Sequence, residues 1–388
     1  MTPTIDAGDA CALARALVRI DSRNPSLVAG APGEHACAVA LRAVLDAWGF
    51  RTELQDAAPG RPNLVARIGG GGAGASSRSL MFNGHLDVVG IEGMVHPGFA
   101  GEQRDGRLYG RGAADMKGGI AAMCAAALRA STAGAPGEII VAAVADEEYE
   151  SLGTRALIAR GVRADACIVT EPTRLTIMPA HRGFVWLEVE VTGRAAHGSR
   201  WDIGVDAIRH AGLLLAELDD YDATVLPTRT HPLLGRGSLH ASLIEGGIGM
   251  STYPDRCVLK LERRTIPGES AQDALREVRA ACARIHARRS TFSADVRLLV
   301  SQGPSDVAVD TPLVRTLGDA LRASGEPVAV EGMSAWTDAA LLNDAGIPAV
   351  CFGPGDISLA HAAEEYIPLD EIDRATAVLA AFAGRWCA

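Results

Sequence analysis

Six side chains able to handle metal ions or protons, His85, Asp115, Glu147, Glu148, Glu171 and His361, recur along most of the chain, several of them at the ends of apolar runs. Imidazole nitrogen and carboxylate oxygen are ligands for Zn²⁺. A carboxylate has two oxygens and can therefore serve two cations about 3.5 to 4 Å apart. His85 sits in Asn83-Gly84-His85-Leu86-Asp87-Val88-Val89, directly after the run from Ser79 to Phe82, which reads as a buried strand ending at its carboxyl edge. Asp87 stands two residues on, on the same face of an extended segment, where it can receive the ring's other N–H.

Asp115 follows the turn-rich Tyr109-Gly110-Arg111-Gly112 and precedes Met116-Lys117-Gly118-Gly119, which opens a helix. Taken alone, a helix N-cap explains this aspartate as well as a metal does. Asp146-Glu147-Glu148 ends the run from Glu138 to Ala145, and three adjoining carboxylates repel one another unless a cation or a raised pKa relieves them. One glutamate of such a turn can hold metal while its neighbour takes a proton from water. Glu171-Pro172-Thr173 ends the next strand, with proline fixing the backbone, and His361 follows the loop Gly353-Pro354-Gly355.

Residues this far apart meet only if the elements between them fold back. From Ala12 to about Met178 strand-like runs alternate with helix-like ones such as Gly118 to Ala130, which predicts an α/β layer structure. Between His181 and Ser301 the order becomes strand, helix, strand, strand, helix, strand: Phe184–Val191, Val205–Leu218, Ser238–Ile244, Cys257–Arg263, Ala271–Ala287 and Ala294–Val300. That βαββαβ order is a complete ferredoxin-like domain, expected at 180–301 and inserted into a domain made of 1–179 and 302–388. After Asp310 the alternation resumes, with helices at Pro312–Ala323 and Thr337–Ala345, a strand at Ala349–Phe352 and a last helix from Asp370. The insertion brings His361 beside His85. Thr337-Asp338 reads as a helix cap.

The chain has 388 residues, 48 % of them hydrophobic, enough for two cores. Its net charge of -10 speaks against a general nucleic-acid binder. Met1 to Ile20 reads as an amphipathic first helix without the apolar run of a signal peptide, and no run approaches the roughly twenty residues of a membrane span. The eight cysteines show no C-x-x-C pair and lie mostly in apolar segments, so buried, reduced thiols and a cytoplasmic location are expected. Gly69 to Gly74 lacks the Lys-Ser or Lys-Thr of a phosphate loop and reads as a hairpin tip.

In order along the chain, GHLDVV, GRGAADMKGG, DEE, EPT, GRAAHGS, GIPAVCFGPG and AHAAEE resemble the motifs of the dinuclear zinc amidohydrolases that include acetylornithine deacetylase, succinyl-diaminopimelate desuccinylase, aminoacylase and carboxypeptidase G. The resemblance implies a zinc-peptidase-like catalytic domain with an inserted lid and dimerisation domain. It implies two divalent ions, zinc with cobalt or manganese as substitutes, bridged by Asp115, with His85 and Glu171 on one and Glu148 and His361 on the other. Glu147 becomes the general base, Asp87 orients His85, and the peptide from Asp115 into Met116 is expected to be cis.

His197, in Gly193-Arg194-Ala195-Ala196-His197-Gly198-Ser199, corresponds to a lid histidine that reaches a partner subunit's site, which implies a homodimer. Arg264 corresponds to the arginine that holds the substrate carboxylate, although Glu262 stands where the family has Asp. Ser251 stands where many members have a pocket asparagine. The implied reaction is hydrolysis of an N-acyl amino acid. A dipeptidase or carboxypeptidase is the close alternative, and a non-catalytic binding protein of the same fold the distant one. His35, His96, His210, His231, His240 and His286 lack the strand-end carboxylates and are not expected to be ligands.

Overall fold

The computed structural model describes residues 5–70 and 77–388, so most of the glycine-rich run expected to form a hairpin tip lies outside the described residues, as do positions 1–4 of the stretch expected to form the first helix, which within the described residues runs Ala10–Val18. The chain forms two compact units, one of 1–179, 307–331 and 337–388, the other of 180–306 and 332–336.

The first unit is built on a mixed sheet. Leu80–His85 lies at its centre, parallel to Glu138–Val144 on one side and to Cys167–Val169 on the other; Ala349–Cys351 continues the parallel run beside Cys167–Val169. The hairpin Arg51–Ala58 and Arg61–Gly69 extends the sheet antiparallel beyond Glu138–Val144. These parallel strands read as nearly unbroken apolar runs because helices cover both faces, and every residue of Leu80–His85 is buried. The alanine-rich helix Gly118–Thr132 packs against the sheet and against the last helix, Leu369–Trp386. A Cβ at Gly119 would come within 2.0 Å of the Thr170 carbonyl oxygen, so only glycine lets this helix start against the strand end that leads to Glu171.

The second unit has the ferredoxin-like order. Its antiparallel sheet runs Ser238–Gly246, Arg256–Thr265, Gly183–Thr192, Ser293–Gln302. The helices Ala207–Thr224 and Ala271–Arg288 pack on this sheet, and along Gly183–Thr192 burial alternates with period two, as a sheet packed on one face requires. This unit runs on to Asp306 and takes in Gly332–Trp336. Ser305 and Asp306 pair with His181 and Ala180, and the Trp336 indole donates to the Gly303 carbonyl at 2.9 Å.

Candidate metal centre

The parallel register sets the site. His85 lies opposite Val144, and Asn83 lies opposite Val169, so His85, Glu147, Glu148 and Glu171 all leave the sheet at one carboxyl edge. That edge is where open α/β sheets place their ligands. Asp115 reaches it from an irregular turn, Ala113–Lys117, entered through Gly112 at φ 80°. The peptide between Asp115 and Met116 is cis, as expected. The N-cap of the following helix is Lys117, so the capping explanation of Asp115 does not hold. His361 comes from the loop after Gly355, with φ 60° and a side chain 53 % exposed.

The two oxygens of Asp115 face different imidazoles. Oδ1 lies 3.0 Å from His85 Nε2 and Oδ2 lies 3.6 Å from His361 Nε2. Glu171 Oε1 and Glu147 Oε2 each lie 4.0 Å from His85 Nε2, and Glu148 Oε2 lies 3.0 Å from His361 Nε2. Two groups result, His85-Asp115-Glu171 and Asp115-Glu148-His361, and in each the candidate ligand atoms lie within 4.8 Å of one another. None of the eight other histidines belongs to such a group among the described residues.

The electrostatics ask for positive charge. Burial holds the Glu147 carboxyl well above its ordinary range, reinforced by Glu171, Asp338 and Glu148 and opposed by His85. Glu171 is raised in the same way, by burial and then by Asp115. Burial disfavours a charged His85, yet Asp115, Glu147 and Glu171 together hold its pKa well above the ordinary imidazole range. A buried cluster of this kind draws in protons where no cation neutralises it. Nitrogen and oxygen donors with a shared central carboxylate suit a pair of divalent cations of the zinc type.

Three surrounding contacts differ from the sequence reading. His85 Nδ1 is hydrogen-bonded to the main-chain carbonyl of Asp87 at 2.9 Å, while the Asp87 carboxylate stands 3.8 Å away. That carboxylate is taken up by the main-chain N–H groups of Glu147, at 3.1 Å, and Glu148, at 3.2 Å. Of the pair Thr337-Asp338, read as a helix cap, Thr337 supplies the capping bond, its hydroxyl accepting from Ala339 N at 3.2 Å, while Asp338 Oδ2 accepts from the Thr154 hydroxyl at 2.6 Å. Glu365, quoted in the last motif without a role, is buried and accepts from Ala114 N at 3.1 Å, Asp115 N at 3.2 Å and Arg111 Nη1 at 2.7 Å.

Two further polar residues approach this cluster without a motif to mark them: Asn24, whose Nδ2 donates to Asp87 Oδ2 at 2.8 Å, and Arg61, whose Nη1 lies 2.7 Å from Asp146 Oδ1. Asp21-Ser22-Arg23-Asn24 before Pro25 reads as a polar loop, and only its full burial at Ser22 and Asn24 marks it otherwise.

The remaining expected residues lie in the second unit. His197 is exposed, with Nδ1 2.9 Å from the Ser199 hydroxyl. Ser251 is exposed, and its carbonyl accepts from Gly198 N at 2.7 Å. Arg264 donates from Nε to Glu262 at 2.5 Å and lies over the Phe184 ring at 5.5 Å.

Such a fold, with two histidines and four acids converging at the carboxyl edge of its sheet, defines a metallohydrolase. The chain belongs to peptidase family M20/M25/M40, whose model matches residues 81–385, and it is a hydrolase of that family, which leaves the non-catalytic reading without support. It is 35 % identical to an acetylornithine deacetylase of Myxococcus xanthus, over 89 % of this chain and 90 % of that one. It is 27 % identical to an N-formyl-4-amino-5-aminomethyl-2-methylpyrimidine deformylase of Bacillus subtilis, over 88 % and 87 %. Its fold matches a dinuclear metal-binding M20 peptidase of Bacillus subtilis with a TM-score of 0.74, at 16 % identity, covering 97 % of each chain.

Proposed function

We propose that this hydrolase removes the acyl group from an N-acyl amino acid, using two zinc ions, with cobalt or manganese as substitutes. The observation that carries the reading is the division of Asp115, one oxygen toward His85 and the other toward His361. His85 and Glu171 complete one site and Glu148 and His361 the other. Bound there, the ions supply Lewis acidity toward the scissile carbonyl and toward an attacking water. Glu147, with its side chain 11 % exposed and its carboxyl held above the ordinary carboxylate range, takes the water's proton and returns it to the leaving nitrogen.

Arg264 and Ser251 hold the amino-acid carboxylate and the side-chain pocket, a fork-shaped guanidinium being suited to a carboxylate. His197 stabilises the developing oxyanion from a partner subunit, the second unit (180–301 with its short additions) acting as lid and dimerisation domain. The outer strand Ser238–Gly246 supports that pairing. It has one sheet neighbour and exposes Leu243 and Ile244 at 62 % and 57 %. All eight cysteines are unpaired, which supports a reducing compartment, the cytoplasm.

The deacetylase relative favours deacylation, and the deformylase relative extends the acyl groups to formyl. A dipeptidase or carboxypeptidase is the second reading, favoured by the peptidase that shares the fold. Release assays across N-acetyl, N-succinyl and N-formyl amino acids and dipeptides, with added Zn²⁺ or Co²⁺, test this directly. Turnover of an N-acyl amino acid above every dipeptide is expected; the reverse order makes the chain a peptidase, and no turnover of any of them removes the reading.

A further inference from the structure

The carboxylate of Asp87 is turned away from the imidazole it was expected to hold and is anchored by a residue far upstream. The segment Ser22–Asn24 lies along Leu86–Val88: the Ser22 hydroxyl donates to Leu86 O at 2.7 Å, Val88 N to Ser22 O at 3.1 Å and Asn24 N to Val88 O at 2.9 Å. Asn24 is fully buried, and its Oδ1 accepts from Ser26 N at 2.9 Å, which fixes the orientation of the amide. The two N–H bonds of Nδ2 are then divided between two acids, Asp87 Oδ2 at 2.8 Å and Asp146 Oδ1 at 3.0 Å.

Asp87 in turn receives the N–H groups of Glu147 and Glu148, and Asp146, at φ 68°, receives those of Glu150 at 3.3 Å and Leu152 at 3.4 Å. Charge in this buried group is met by Arg61, 2.7 Å from Asp146 and ion-paired with Glu34.

We propose that Asn24, backed by Arg61, is a positioning residue that clamps Asp87 to the turn Asp146–Glu148 and thereby sets where Glu147 and Glu148 present their carboxylates. The assignment rests on the hydrolase reading above. The clamp holds the two glutamates by their main chain, which leaves both side chains free for chemistry. Asparagine suits the place for a chemical reason. An aspartate there would set two more oxygens against two carboxylates, and a serine has one donor and cannot bond both acids.

The test uses the full chain with Asn24→Ser, Asn24→Asp and Arg61→Lys. In metal-free protein, hydrogen exchange at the Glu147 and Glu148 amides is expected to speed up about tenfold in Asn24→Ser, the loss of one hydrogen bond's worth of protection, with the rest of the unit unchanged. In metal-loaded enzyme kcat falls about ten- to a hundredfold with KM unchanged, the range seen when groups behind a metal site are altered. Arg61→Lys, which keeps the charge and loses the fork, moves both readouts in the same direction by less and decides the matter if the Asn24 variants do not fold. Exchange and kcat at wild-type values in the variants overturn the proposal, as does a uniform rise in exchange across the unit with KM and kcat falling together. Should the wild-type protein hydrolyse no amide, the functional reading fails while the exchange data still decide the clamp.

Discussion

His85 is carried by a buried parallel strand and His361 by an exposed loop, and the two imidazoles approach different oxygens of the same carboxylate, Asp115. On the strand side, Glu171 is buried too and is fixed by the neighbouring strand. On the loop side, the Glu148 side chain is 7 % exposed and His361 53 %. A sheet edge holds its ligands in place before any ion arrives, whereas a loop histidine reaches its geometry by ordering a segment that water can enter. The strand half should therefore bind its ion more tightly and exchange it more slowly, and the loop half should be the one emptied by a chelator.

The largest effect should come from the residue that belongs to neither half. Glu147→Gln is expected to lower kcat by about 10² to 10⁴, with two ions per chain retained by metal analysis. Loss of an ion with the activity would make Glu147 a ligand instead. Next come the two histidines. His85→Ala should weaken the tighter ion by more than the roughly hundredfold that follows from disturbing groups behind a metal site, while His361→Ala should leave that ion in place and empty only the weaker half after chelator dialysis. Equal losses in the two variants would end the distinction between the halves.

Glu365→Gln sharpens the point from the shared side. It removes the charge paired with buried Arg111 and disturbs the N–H contacts of Ala114 and Asp115, so about 3 kcal/mol of stability should go and both ions should weaken together. Denaturant melts and metal titration on the same variant read both. The smallest effect is expected at Glu326, whose carboxyl is held below its ordinary range by Arg374, with contacts of 2.7 and 2.6 Å. A depressed carboxyl pKa stabilises the fold above the ordinary carboxylate range and ceases to do so as pH falls through the depressed value. Glu326→Gln should thus cost no more than about 0.5 kcal/mol at neutral pH and nothing in strong acid, without changing either half's metal affinity.

Much of this contrast could be read from the residues. His85 and Glu171 end apolar runs whose length and composition already mark buried parallel strands, and the six-element order of the second unit follows from its periodicities. What escaped were contacts between atoms whose residues carry no joint pattern. Period two places His85 and Asp87 on one face of an extended segment but does not say that the main-chain carbonyl, and not the carboxylate, meets the ring. Asn24 meets Asp87 across 63 residues and Asp146 across 122, from a loop with no periodicity to read. The cap read at Thr337-Asp338 is made by Thr337, whereas Asp338 turns to Thr154, a partner 184 residues away that no local pattern announces.

Titration of metal-free protein with Zn²⁺ in wild-type and Asp115→Asn forms tests the shared carboxylate most directly. Two binding steps of unequal affinity, summing to two ions per chain, are predicted for the wild type, with both steps weakened in Asp115→Asn. A single ion in the wild type, or one step left untouched by the substitution, would contradict the division of Asp115 between the two halves.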